Sequence, residues 1–252
     1  MNPDLHLEMH DEIAVIRLSR PAKRNALNDA LVLALADVFS HLPDTARAAV
    51  LHGEGDHFCA GLDLSELQTR DAAQGMHHSR LWHHAFERIQ YGSVPVVAAL
   101  HGAVVGGGLE LAAACHIRVA DDTTFYALPE GTRGIFVGGG GAVRLPKLIG
   151  VARMTDMMMT GRIYQAEEGE RLGFAQYLVP AGTALDKAMS LAGQIATNAP
   201  LTSHALIQYS TDGSASSPSS SRSRPSTTPQ NSIDRKSTRL NSSHLGISYA
   251  VF

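Results

Sequence analysis

The sequence predicts an α/β fold, and two observations support that prediction. Short apolar runs rich in β-branched residues alternate along the chain with longer segments in which apolar residues recur at helical spacing. The chain has 252 residues, of which 44% are hydrophobic, so it can bury a sizeable core in one or two domains. The alternation alone does not distinguish between α/β architectures, and a doubly wound parallel sheet is one of those it permits.

The first strands and the first helix show the two periodicities clearly. Residues 12–19 and 46–52 are rich in β-branched and alternating residues, which predicts strands. Residues 29–42 carry apolar side chains at helical spacing from Leu31 to Leu42, which predicts a helix. The same criteria predict a strand at 94–100 and helices at 75–90, 109–115, 142–149, 152–160, 166–172 and 184–197.

Residues 209–252 differ in composition from the rest of the chain. They contain 14 serines and three prolines in 44 residues, and this composition cannot bury enough apolar surface to offset the entropy of ordering. Residues 234–252 resemble a translated sequencing adapter, and a frameshift near Gln208 would explain the transition. We therefore predict a folded core domain at 1–208 and a disordered, artefactual tail at 209–252.

Charge and cysteine content exclude several classes of protein. The formal net charge of −3 combines +3 in residues 209–252 with −6 in residues 1–208, so the core has no basic excess for nucleic acid. No apolar run approaches the ~20 residues of a membrane span, and the N-terminus does not resemble a signal peptide. Cys59 and Cys115 are too few for a disulfide framework. We expect a cytoplasmic protein without membrane or nucleic-acid partners.

A glycine-rich turn at 106–108 lies between a strand-like and a helix-like run. Backbone N–H groups at a helix N-terminus can bind an oxyanion, and Glu110 lies one turn inside this helix. Glu130 adds a second group able to transfer protons, and the addition of water across a double bond beside a polarised carbonyl requires two such groups. The combination indicates an enzyme, although a tight turn, a helix-terminal glutamate and a solvated glutamate would explain each feature alone.

Three segments in sequence order resemble a known family. Residues 58–64, 101–112 and 125–130 resemble successive signatures of the enoyl-CoA hydratase/isomerase (crotonase) family, and the resemblance runs from about Ile13 to about Ile207. It implies a spiral of repeated ββα units. It further implies that a C-terminal helical region, which in the family covers the site and joins subunits, is missing or replaced by the tail. The intact family member is expected to be a homotrimer or hexamer.

The resemblance also implies roles for individual residues. Glu110 would be the base that activates water and Glu130 the acid that protonates the α-carbon, while the backbone N–H groups of Leu62 and Gly107 would form the oxyanion hole. Coenzyme A is expected as part of the thioester substrate, with no separate cofactor and no metal. Contacts with the acyl-CoA are expected at both glycine-bearing turns and at a basic loop that is nearly as well explained by solvation, namely at Lys23, Arg24, Ala26, Ala60, Gly61, Leu62, Asp63, Gly106 and Gly107.

The implied reaction is hydration of a 2-trans-enoyl-CoA to a 3-hydroxyacyl-CoA. Two alternatives remain: double-bond isomerisation, and hydration of a short substituted acryloyl-CoA of the methylthioacryloyl type, which residues 90–92 and 130–137 resemble. A third hypothesis is a non-catalytic interaction module, against which both glutamates argue. Four histidines between residues 77 and 84 are interpreted as a solvated helix face, and the glycines at 138–141 lack the pattern of a phosphate-binding loop.

Overall fold

The computed structural model describes residues 2–66 and 71–212, in which strands and helices alternate. The strands are β1 (Leu5–His10), β2 (Ile13–Leu18), β3 (Ala48–Gly53), β4 (Val96–Leu100), β5 (Ala103–Val105), β6 (Ile117–Asp121), β7 (Phe125–Ala127), β8 (Tyr164–Gln165) and β9 (Tyr177–Val179). The α-helices are α1 (Asp29–Ser40), α2 (Ala72–Gln90), α3 (Gly107–Ala114), α4 (Gly141–Ile149), α5 (Val151–Thr160), α6 (Ala166–Leu172), α7 (Ala184–Ala196) and α8 (Pro200–Asp212).

The larger sheet has the strand order β1-β2-β3-β4-β6-β9. β1 and β2 form an antiparallel hairpin, and from β2 onward each neighbouring pair is parallel. β3 and β4 are buried along nearly their whole length, as expected for parallel strands covered on both faces. Strand order follows chain order, so each crossover extends the sheet at the same edge.

A smaller sheet with the order β5-β7-β8 stands beside the larger one. β5 follows β4 directly and β7 follows β6 directly. In both cases the chain forms one strand of the larger sheet, then one strand of the smaller sheet, and then a helical segment. After β3, Cys59 takes the corresponding place, because it forms a parallel bridge with Val104 of β5. This repeat is the predicted ββα spiral. A doubly wound fold is excluded because its strands would lie in a single sheet.

The larger sheet separates two apolar cores. On one face, α7 places Ala188 and Leu191 against Val97 and Val119, and its alanines let the helix approach the sheet closely. On the other face, the main core lies between the sheet, the smaller sheet and helices α1 to α4, and it includes Phe86. The junction of β5 and α3 is part of this second layer, and it carries the candidate site.

The predicted elements match the structure to within a few residues, with some omissions. α6 has the predicted bounds, whereas α2 and α3 begin somewhat earlier than predicted. β1, β6, β9, the strands of the smaller sheet and α8 were not predicted. The strands of two or three residues show too little periodicity to be recognised. α8 continues to Asp212, past the predicted core boundary at 208, and the remainder of the predicted tail lies outside the described residues.

Candidate active site

Two glycine-bearing turns meet at the N-terminus of α3. Gly61 has φ +86° and Gly106 has φ +54°, both in the left-handed region that favours glycine. A Cβ on Gly61 would lie 2.6 Å from the Val105 carbonyl oxygen and 3.1 Å from the Gly107 nitrogen. The close contact between the two turns therefore requires glycine at position 61.

The backbone amides of Leu62 and Gly107 face the space between these turns. Leu27 N–H donates to the Gly61 oxygen and Asp63 N–H donates to the Leu27 oxygen, so the Leu62 N–H points to the opposite side of this bridge. Gly107 is the first residue of α3, where amides have no intrahelical acceptor. Within residues 2–66 and 71–212, neither amide donates a backbone hydrogen bond. The structure thus brings the two predicted oxyanion donors together.

Glu110 lies in the first turn of α3 and is almost completely buried. The Gly141 N–H donates to its Oε1 at 2.7 Å, and a Cβ on Gly139 would lie 3.3 Å from its Oε2. Burial raises the pKa of Glu110 to about 8, helped by the negative charge of Glu130 and opposed by the amides of Gly141 and Gly139. Gly139 and Gly141 therefore form a cradle for this carboxyl group.

Glu130 follows β7, and its carboxyl group lies against the glycine turn at 106. A Cβ on Gly106 would collide with Oε1 of Glu130, so this carboxyl group lies directly against the turn that precedes α3. The side chain is buried, and within the described residues its Oε2 has no hydrogen-bond partner. Burial raises the pKa of Glu130 to about 7. A buried polar atom without a partner is costly, which is typical of a functional group.

The two carboxyl groups form an interacting pair. The charge of Glu130 is the second largest cause of the raised pKa of Glu110, and such a pair releases its protons in two steps that belong to both groups. Near neutral pH the pair holds about one proton. The order of the two pKa values favours that proton on Glu110. The Gly141 amide, which donates to Oε1 of Glu110, opposes this order and favours the carboxylate form of Glu110.

Aromatic side chains of α2 form an apolar wall beside the amide pair. Cζ3 of Trp82 lies 2.9 Å from the position that a Cβ on Gly107 would occupy. The Trp82 ring N–H donates to Oδ1 of Asp29 at 2.8 Å, and Phe86 packs edge-on against the indole at 6.0 Å between ring centroids. The indole is therefore fixed in place next to the predicted oxyanion hole.

The predicted CoA-binding loop has an unusual backbone. Arg24 and Asn25 adopt left-handed φ angles of +52° and +55°, and the Ala60 N–H donates to the Arg24 oxygen at 2.9 Å, which joins the loop to the first glycine-bearing turn. Ala26 is buried, while Lys23 and Arg24 are exposed at the surface. Sequence analysis missed Asn25, whose buried amide side chain holds this loop; an asparagine after two basic residues was the available signal.

Asp63 is engaged within the protein. Its Oδ2 accepts a hydrogen bond from Arg20 at 3.0 Å and its Oδ1 accepts one from the Ser65 hydroxyl at 2.7 Å. The Ser65 hydroxyl is the main reason why the pKa of Asp63 falls to about 2. Lys23 Nζ lies 3.9 Å from the same carboxylate. The Asp63 side chain therefore anchors the loop, and its predicted contact with CoA would involve the backbone.

Arg144 is a charged residue near the site that sequence analysis missed. It is buried in α4 and donates to the Gly139 oxygen at 2.8 Å and to Oε1 of Gln90 at 2.6 Å. His116 in turn fixes Gln90, because its Nε2 lies 3.0 Å from the Gln90 carbonyl oxygen. The available sequence signal was an arginine among apolar residues three positions after four consecutive glycines.

In the described part of the chain, the histidines of α2 and the two cysteines form neither a metal site nor a reactive thiol. On α2, Nε2 of His83 lies 3.2 Å from Oε1 of Glu87, and the described ranges contain no group of three or more potential metal ligands. Cys59 and Cys115 are buried, and burial raises the pKa of each thiol to about 12, which suppresses the reactive thiolate. None of the helices within 2–66 and 71–212 combines the length and apolar character that crossing a bilayer requires.

Comparison with known proteins extends the similarity over most of the chain. The family model for enoyl-CoA hydratase/isomerase matches residues 8–232. The chain is 32% identical over 209 residues to 2,3-dehydroadipyl-CoA hydratase of Escherichia coli, covering 81% of this chain and 80% of that protein. It is 43% identical over 150 residues to the fatty acid oxidation complex subunit alpha of Shewanella amazonensis, covering 58% of this chain but only 21% of that longer protein.

Solved structures show the same architecture. A crystal structure from Rhodopseudomonas palustris, to which enoyl-CoA hydratase activity is ascribed, is 60% identical with a TM-score of 0.80, covering 81% of this chain and 80% of that one. Enoyl-CoA hydratase from Bacillus anthracis is 31% identical with a TM-score of 0.78, covering 83% of each chain. On the combined evidence of the family match, these similarities and the ββα spiral, the chain belongs to the enoyl-CoA hydratase/isomerase (crotonase) family.

Proposed function

We propose that this chain hydrates a 2-trans-enoyl-CoA thioester to a 3-hydroxyacyl-CoA. The observation that carries the proposal is the placement of two buried carboxyl groups beside a pair of backbone amides that have no backbone acceptor in the described part of the chain. The Glu130 carboxyl group lies against the glycine turn at 106, and the Glu110 carboxyl group lies against the turn at 138–141. This arrangement supplies both proton transfers that addition of water requires.

The first step is polarisation of the thioester carbonyl. The N–H groups of Leu62 and Gly107 bind its oxygen, and the positive end of the α3 dipole adds to their effect. Negative charge grows on this oxygen as water attacks, so the two donors bind the transition state more strongly than the substrate. Loss of one such donor typically costs ~2.7–4 kcal/mol of transition-state stabilisation.

The second step adds water across the double bond. Glu110 takes a proton from water, the water oxygen bonds to C3, and the electrons of the C2–C3 double bond move into the thioester enolate. The enolate collapses as C2 takes a proton from Glu130. Glu110 gains the proton that Glu130 loses, so passage of one proton between them, directly or through solvent, restores the pair.

The remaining features define the class of substrate. Lys23 and Arg24 are exposed cations suited to the phosphates of coenzyme A, and Trp82 and Phe86 offer an apolar wall to the acyl group. Coenzyme A enters as part of the substrate, and the proposed steps use no separate cofactor or metal. The two buried thiols fit a reducing compartment, and we place the reaction in the cytoplasm.

Isomerisation of an enoyl-CoA is the alternative reaction within the family. It moves a proton between carbon atoms through the same enolate and requires only one acid–base group. The second buried glutamate therefore favours hydration. Hydration of a short substituted acryloyl-CoA uses the same steps, and the substrate panel below includes it.

The first prediction tests the proposal with thioesters of different acyl length, including a methylthio-substituted acryloyl-CoA. Loss of the conjugated-thioester absorbance should report hydration, and Glu110→Gln and Glu130→Gln should each reduce kcat by ~10²–10⁴-fold with CoA binding retained. Glu12→Gln, at an exposed turn between β1 and β2, is the control. Absence of hydration with every thioester, or conversion of a 3-enoyl-CoA to a 2-enoyl-CoA instead, would refute the proposed reaction.

A further inference from the structure

The glycine turn at 138–141 is held from the side opposite to Glu110. Three carbonyl oxygens of this turn accept hydrogen bonds from outside it. The Gly138 oxygen accepts from Oγ of Ser79 at 2.8 Å, the Gly139 oxygen from the Arg144 guanidinium at 2.8 Å, and the Gly140 oxygen from the Arg144 backbone N–H at 3.1 Å. The side chains of Ser79 and Arg144 therefore hold the Gly138 and Gly139 oxygens, while the backbone of α4 holds the Gly140 oxygen.

These anchors determine where the amides of the turn point. In a planar trans peptide the C=O and N–H groups point in opposite directions. Anchoring the Gly138 oxygen directs the Gly139 N–H toward Glu110, and anchoring the Gly140 oxygen directs the Gly141 N–H toward Oε1 of Glu110. A Cβ on Gly141 would lie 2.7 Å from Cγ of Glu110, so this contact is possible only with glycine.

Arg144 contributes charge as well as hydrogen bonds. Only 5% of the residue is exposed, and its hydrogen-bond acceptors, the Gly139 oxygen and Gln90 Oε1, are neutral. In the part of the chain that the structure describes, no carboxylate lies within ion-pair distance of its guanidinium. A buried cation without a direct ion pair is costly, so its retention calls for a nearby anion at some stage of the reaction.

Glu110 is the anion that interacts most strongly with this cation. Burial lowers the pKa of Arg144, and the charge of Glu110 is the largest of the effects that raise it again, ahead of Glu87 on α2, Tyr91 directly after α2 and Cys115 directly after α3. His83 of α2 also faces this region, with Nδ1 3.0 Å from the position of a Cβ on Gly140. Among these groups, Glu110 alone also receives a hydrogen bond from the turn that Arg144 holds.

We propose that Arg144 is a positioning residue for the reaction: it holds the glycine turn that orients Glu110, and its charge stabilises the carboxylate form of Glu110. The second part rests on the proposed function, since a base must be ionised before it takes a proton from water. Arg144 acts through Glu110 and does not touch the substrate. Its loss should therefore change the turnover and pH dependence of the reaction more than it changes substrate binding.

The second prediction compares Arg144→Gln with Arg144→Lys. Arg144→Gln should lower kcat by ~10–100-fold with KM nearly unchanged, and it should move the lower midpoint of the kcat/KM pH profile upward by about one pH unit. Arg144→Lys keeps the charge but not the planar fork, so we expect a reduced kcat with the midpoint retained. The control is Arg153→Gln, because the exposed Arg153 also donates to a helix carbonyl oxygen, that of Ile149.

A carboxyl carbon NMR titration tests the same inference without turnover. The Glu110 signal is identified by its absence in Glu110→Gln, and its midpoint should rise in Arg144→Gln whether or not the enzyme hydrates any thioester. Failure of the proposed reaction would thus be distinguishable from failure of this inference. If Arg144→Gln does not fold, two other variants test the inference. Arg144→Lys should retain the Glu110 midpoint, because it keeps the charge. Ser79→Ala should lower kcat by ~3–10-fold without a shift of that midpoint. Unchanged kcat and midpoint, or an effect on KM alone, would overturn the inference.

Discussion

Replacing Glu110 with glutamine should stabilise the folded protein while removing the proposed base. Burial and the charge of Glu130 raise the pKa of Glu110 from 4.5 to about 8, so the folded state binds this proton more tightly than the unfolded state does. The stabilisation from that proton is fully present below about pH 4.5 and is lost as pH rises through about 8. Glutamine cannot ionise, so the variant avoids this loss.

The expected magnitude follows from the same shift. A rise from 4.5 to about 8 corresponds to at most ~5 kcal/mol, at ~1.36 kcal/mol per pKa unit. Glutamine keeps one oxygen for the Gly141 N–H but loses the second amide interaction, which costs ~1–2 kcal/mol. The variant should thus be more stable than wild type by at most about 3–4 kcal/mol at pH ~9, or about 6–16 °C, and slightly less stable at pH ~5.

This third prediction can be tested by thermal unfolding of wild type and variant at pH values of about 5, 7 and 9. The quantity to follow is the difference in Tm at each pH, because groups common to both proteins cancel. Glu12→Gln, whose side chain is exposed, should show little difference from wild type at any of them. A Tm difference for Glu110→Gln that is independent of pH, or a destabilised variant at pH ~9, would refute the argument from burial.

Two further predictions concern the loop and the assembly. Asn25→Ala should lower the free energy of unfolding by about 3 kcal/mol in denaturant, because it leaves the Glu54 and His57 carbonyl oxygens without their donor. Asn25→Asp should lower the free energy of unfolding nearly as much. A small change in both variants would show that the loop does not depend on this side chain. We also expect this chain to form loose or aggregating species, because the resemblance implies that the region joining subunits is missing or replaced, and Val151 and Met159 of α5 are exposed; Met159→Glu should reduce aggregation, and a stable, monodisperse trimer would contradict this. A chain that keeps the family's C-terminal region should sediment as a trimer or hexamer.

Local patterns were sufficient for helices α1 to α7, strands β2 to β4 and the residue types of the site. Leu31 and Leu35 recur at helical spacing, and both are buried on α1. Gly106, Gly107 and Glu110 lie on one strand–turn–helix unit, so their relation is readable within a few residues. The choice of a ββα spiral over a doubly wound sheet came from resemblance and not from periodicity, because β5, β7 and β8 are too short to show a pattern.

Contacts between distant segments could not be derived from such patterns. The Gly141 amide reaches Glu110 across 31 residues, and the Ser79 hydroxyl reaches the Gly138 oxygen across 59. The sequence predicts no phosphate loop at the four glycines, whereas the contact of Gly139 and Gly141 with Glu110 is visible only when α3 and α4 are placed side by side. Residue identity and local spacing specify which groups are available for chemistry. Burial, charge pairing and the direction of each peptide group depend on packing between remote elements, and these decide how the groups act.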